Sequence, residues 1–81
     1  MKEEILSCLT ELVEGQKKTL LENGRQIVSY VTSEDVLQPN DYPLLENSPS
    51  FRYEEGILAG MQTVQTALLA LFRDLETKGH D

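Results

Sequence analysis

Much of what small proteins use to build chemical sites is missing from this chain. Cys8 is the only cysteine among 81 residues, so no disulfide can form within one molecule. His80 is the only histidine and lies beside the last residue, so a Cys/His zinc site has no ligand set and a catalytic triad has no base in the body of the chain. A di-iron bundle needs Glu-x-x-His on two helices, and no such motif occurs. Basic charge is scarce: seven Lys and Arg stand against fourteen Asp and Glu, a net charge of −7. No basic face exists for nucleic acid, and anionic membrane surfaces are disfavoured for the same reason. The longest uncharged stretch lies between Glu55 and Arg73, is short of the ~20 residues that span a bilayer, and carries Gln62, Thr63, Gln65 and Thr66. The N-terminal residues lack a signal-peptide pattern. These absences predict a soluble, cytoplasmic, non-enzymatic protein with no cofactor and no metal.

Short length sharpens the problem. Cores near 70–80 residues rarely supply more than about 3–5 kcal/mol, and disulfides, metals or oligomerisation often supplement them. With the first two excluded, oligomerisation or very good helix packing remains.

Hydrophobic periodicity is what the chain does have. Leu6, Leu9, Val13, Gln16, Leu20, Asn23, Ile27 and Tyr30 recur at alternating steps of three and four, a heptad seam. Ile5, Leu12, Val28 and Val31 widen the apolar arc to that of a core-facing helix. The reading is one helix over 2–31, with Glu3 and Glu4 in its first turn where the dipole favours them. Asn23-Gly24 argues the other way, as a turn and C-cap signal followed by a segment of strand propensity. The seam keeps its phase across Gly24, which favours continuity. Gln16 and Asn23 either fix register as buried polar residues or lie on the wet edge of the seam.

All three prolines fall in the connection, 32–49. Thr32 with Asp35 reads as a helix N-cap with an acid three residues on, able to start one turn through Val36 and Leu37 that Pro39 ends. Leu44 and Leu45 read as anchors on the helices. A second helix is predicted over 50–77, capped by Ser48 before Pro49 or by Ser50. Residues 78–81 form a short tail, with Lys78 and Gly79 suited to a helix C-terminus. Two helices of about 45 and 42 Å make an all-α antiparallel hairpin with a long Pro-containing connection, in one domain.

The second helix carries the most information. Ile57, Met61, Val64, Leu68, Leu71 and Leu75 form an apolar seam at steps of four and three. Gly56, Gly60, Thr63, Ala67 and Ala70 run beside it as a stripe of small residues, and Leu58, Leu69 and Phe72 lie on the other flank. Only Glu55, Gln62, Thr66 and Arg73 keep a narrow strip polar. One partner helix covers the seam but not the flanks, and a helix apolar nearly all round belongs in an interior. The expectation is a homodimer, a four-helix bundle, with Gly56, Ile57, Leu58, Gly60, Met61, Val64, Ala67, Leu68, Leu71, Phe72 and Leu75 at the interface. The competing arrangement is a monomer whose connection folds back, covering the flank with Tyr42, Leu44, Leu45 and Phe51.

Other constellations are weaker. Asp41, Tyr42, Arg52, Tyr53 and Glu54 form a dense polar and aromatic group that reads either as a partner-recognition loop or as the hairpin's structural cap. Glu3/Glu4 and Glu54/Glu55 diverge by 100° on a helix and do not converge on a site. Cys8 has Glu4, Glu11 and Leu12 for neighbours, the surroundings of an inert thiol. Gly56-x-x-x-Gly60 fits close helix packing outside a membrane. Three functions compete: a non-catalytic interaction protein that self-associates and presents its acidic Pro-containing loop to a partner; a helical chaperone or adaptor whose apolar helix is covered by another helical protein; and an enzyme or ligand-binding subunit with Tyr42, Arg52 and Glu54 at a pocket mouth.

Overall fold

The computed structural model describes residues 1–78, the side chain of Lys78 excepted. Gly79, His80 and Asp81, and with them the expected tail and C′ glycine, lie outside the described residues. Two long helices, α1 (Lys2–Ile27) and α4 (Pro49–Lys78), pack as an antiparallel hairpin. Between them run α2 (Ser33–Leu37), a 3-10 turn (Pro39–Asp41) and α3 (Pro43–Glu46). The described residues contain no strand, and the molecule measures 53 × 19 × 18 Å.

The connection is a chain of short helical turns rather than an open loop. Asp35 N–H donates to Thr32 Oγ1 (3.3 Å) and Thr32 N–H to Asp35 Oδ2 (2.9 Å), a reciprocal capping box that starts α2. Each proline then opens a helical turn, where its missing N–H costs nothing. Ser48 caps α4, with its Oγ accepting from the Phe51 N–H at 3.3 Å.

The first helix ends four residues before the expected boundary. Val28 adopts an extended conformation (φ −131°, ψ 101°), and the chain turns back on itself. Arg25 Nε holds the turn by donating to the Val31 carbonyl (3.0 Å). The cause is burial: the turn brings Val31 and Val36 into the core, where both are buried. Tyr30, expected on the seam, is left exposed.

Gly24 explains why this is possible. It is neither a turn nor a cap, for it sits buried inside α1. A Cβ there would lie 2.8 Å from Val36 Cγ1 and 3.5 Å from Phe51 and Val31. The missing side chain is the notch into which α2 and the start of α4 dock. The core follows from this: Val13, Leu20, Val28, Val31, Val36, Leu45, Phe51 and Leu58, crowded at the closed end of the hairpin. Leu45 does fold back from the connection and packs with Phe51 of α4 in the core, whereas Leu44 is exposed.

Replacing Gly24 with Ala should therefore destabilise the protein even though Ala favours helix by about 1 kcal/mol. Gly15 has open space around it, so Gly15→Ala should stabilise by about that amount. Denaturant unfolding of the two variants checks the contrast. Equal gains at both positions would show that the notch is not needed.

Candidate functional surface

The expected seam of α4 divides in two. The covered line of α4 runs through Phe51, Glu54, Leu58, Met61, Gln65, Leu68 and Phe72, all buried or half-buried and spaced by threes and fours, and its Phe51 and Glu54 touch α1 directly. This contact line is rotated about 60° from the expected one, at 100° per residue. Leu58 and Phe72, assigned to a flank awaiting a partner, thus pack within the molecule, whereas Leu69 of the same flank stays exposed. Val64, Leu71 and Leu75, assigned to the seam, remain 50%, 49% and 53% exposed. Met61 and Leu68 keep the contact predicted for them, and Ile57 is half-buried at the border. Gly56, Gly60 and Ala67 are exposed, with nothing near enough to either glycine to be touched by a Cβ.

The rotation has a physical source. Gln65 is a polar residue on the contact line, and Val64 is an apolar residue off it, so hydrophobicity alone points to the wrong row. The closed end sets the register instead. Phe51 and Leu58 must reach the core beside Gly24, and the rest of α4 follows rigidly. Gln16 then matches α4 by hydrogen bonding: its Nε2 donates to Glu54 Oε2 (2.7 Å) and to the Glu54 carbonyl (2.9 Å). Gln16 is therefore a register residue. Asn23 Oδ1 is buried without a partner. At the open end Lys2 pairs with Glu76, an exposed ion pair of small energetic weight.

The polar and aromatic group comes apart in three dimensions. Arg52 is a clamp: Nε donates to the Glu46 carbonyl (2.8 Å) and Nη1 to Glu55 Oε1 (2.7 Å), tying the end of α3 to α4. Glu54 is engaged with Gln16. Tyr53 is exposed. Asp41 and Tyr42 stay together and line a separate open cleft of about 390 Å³ with Ile27, Val28, Tyr30, Pro43 and Leu44 among others. The Tyr42 ring lies 6.2 Å from that of Tyr30, tilted by 58°. Arg52 and Glu54 do not line that cleft, so the expected pocket mouth is not assembled. Cys8 is exposed. Among the described residues no three His, Cys, Asp or Glu side chains are grouped to hold a metal ion, and no helix is long and apolar enough to cross a membrane.

The connection also holds two perturbed ionisable groups, Asp35 and Tyr42. Asp35 is pulled below the usual carboxylate range, mainly by the Thr32 N–H, against the opposing effect of burial, with help from the Thr32 and Tyr42 hydroxyls. Tyr42 is pushed up by burial first and by the Asp35 charge next. A depressed carboxylate contributes stability above its unfolded pKa and loses it as pH falls through the folded one. A raised phenol contributes stability below the ordinary tyrosine value of 10.0, lost as pH rises beyond it. Thr32→Ala should cost about 1 kcal/mol at neutral pH, the usual worth of an N-cap, yet keep most of the acid limb of the stability profile because Ala retains the N–H that acts most on Asp35, whereas Asp35→Asn should flatten that limb. A pH series of chemical melts reads both effects.

Comparison with known protein families, with curated proteins and with solved structures finds no match, so the surface chemistry stands as the guide to function.

Proposed function

We propose that this protein is a small acidic, non-catalytic interaction module that self-associates through the apolar side of α4 to form a four-helix bundle. One observation carries the reading. After α1 has taken its share of α4, Val64, Leu71 and Leu75 are still about half exposed, in line along one side of the helix. An aliphatic row of that length is costly to leave in water, because burying each such side chain fully contributes about 1.5–3 kcal/mol. Gly60 and Ala67 beside the row allow a second backbone to come close.

Sedimentation velocity over a wide concentration range should find a reversible dimer. Val64→Gln and Leu71→Gln each remove about 1 kcal/mol per protomer, half the full burial value. Across a symmetric dimer that is about 2 kcal/mol, or roughly thirtyfold weaker association for each variant. Monomer stability should change by no more than about 0.5 kcal/mol, as for other surface sites. By contrast Leu58→Ala should cost about 2–5 kcal/mol of folding stability, since Leu58 is core. Wild-type sedimentation as a monomer at every concentration would remove this reading. It would favour the second, in which a different helical protein covers the same row, as in a chaperone or adaptor.

A further inference from the structure

We infer that the second copy docks on a face shared by both long helices, with the two hairpins stacked antiparallel about a two-fold axis that crosses α1 and α4 near Leu12 and Val64. This rests on the self-association proposed above and specifies its surface and orientation.

The face follows from the contact lines. On α1 the residues just before Leu6 and Val13 are Ile5 and Leu12; on α4 those just before Leu58, Gln65 and Phe72 are Ile57, Val64 and Leu71. In an antiparallel pair of right-handed helices, these two rows lie on the same side of the pair, as the like-lettered flanking positions of an antiparallel coiled coil do. Leu12, 51% exposed, therefore belongs to the same patch as Val64 and Leu71. From Ile5 to Thr19 on α1 and from Ile57 to Leu71 on α4, neither this row nor the one outside it contains a charged residue.

The relief of this face is self-complementary. Leu12 is flanked four residues before by Cys8 and three after by Gly15. Val64 is flanked in the same way by Gly60 and Ala67. Each helix thus presents one aliphatic projection between two small residues, all of them exposed. Reversed on itself, such a row sets Leu12 beside its own copy and Cys8 opposite Gly15; the α4 row does the same with Gly60 and Ala67. The Lys2–Glu76 and Gln16–Glu54 contacts place Leu12 and Val64 at the same level of the hairpin, within about one turn. A single axis can therefore serve both rows.

Size and charge fit a weak, reversible dimer. The face is about 22 Å long, from the 15 residues of each helix between Ile5 and Thr19 and between Ile57 and Leu71, and as wide as the 19 Å molecule. Two copies bury roughly 850 Å², in the range of transient rather than permanent interfaces. Residues 32–50 carry four acids and no base. Parallel stacking would set two of these segments side by side. Antiparallel stacking sends them to opposite ends, about 45 Å apart and far beyond the Debye length of about 8 Å.

Cysteine cross-linking of the full chain tests this. Gly15→Cys adds a thiol opposite Cys8 of the second copy, and within one chain the two positions are about 10 Å apart along the helix, too far for a disulfide. Ala67→Cys is the reporter for parallel stacking, in which α1 lies on α4 of the other copy. Thr10→Cys, exposed on the side of α1 opposite Leu12, reports random collision. At a concentration where sedimentation finds dimer, mild oxidation should convert most of Gly15→Cys to a covalent dimer on a non-reducing gel and leave Ala67→Cys and Thr10→Cys mainly uncoupled. A dimer that couples through Ala67→Cys, couples no faster through Gly15→Cys than through Thr10→Cys, or couples through none overturns the antiparallel face while leaving self-association intact. A species monomeric by sedimentation at all concentrations overturns both.

Discussion

Everything in this small molecule depends on how closely the connection can approach the first helix. At Gly24 the absence of a single Cβ lets Val36 and Phe51 sit against the α1 backbone. That contact anchors α2 and the beginning of α4 and fixes where the second long helix starts and which way it is turned. Val31 reaches the same core only because the chain leaves the helix at Val28, and Arg25 pins the turn that results. The glycine works by its lack of volume, with ordinary helical backbone, and no described glycine has positive φ.

With the core concentrated at one end, the hairpin is uneven along its length. Near the connection the helices share Phe51, Leu20, Leu45 and Leu58, fully or nearly buried. Toward the open end, contact continues through half-buried Leu6, Leu9, Met61, Leu68 and Phe72. None of the described residues folds over the outer side of that half, and the aliphatic row of α4 stays in contact with water. That row, with the uncharged face spanning both helices, is the surface on which the proposed self-association rests.

Polar residues on the contact line give the hairpin its register. Gln16 reaches both the carboxylate and the carbonyl of Glu54, which a hydrophobic residue at either position would not do. Slippage by one turn would leave these groups half-buried without partners, a cost of about 1–3 kcal/mol for a buried polar group. Arg52 does similar work at the closed end, where it joins α3 to α4 by donating to the Glu46 carbonyl and the Glu55 carboxylate. Both residues belong to the architecture.

Local chemistry was readable from the sequence by itself. It determined the all-α class, the seam of α1 through Leu6, Val13 and Leu20, the Thr32–Asp35 cap, the Ser48–Pro49 start of α4, and the excess of apolar surface on that helix. Each depends on spacing within a few residues, and helical geometry converts spacing into a face. Only the tertiary structure decided the end of α1 at Ile27, the role of Gly24 as a notch, and the rotation of α4 that buries Leu58 and Phe72 and exposes Val64 and Leu71. A helix apolar on three sides contains no internal instruction about which side faces its neighbour; packing at the far end, around Gly24, made that choice.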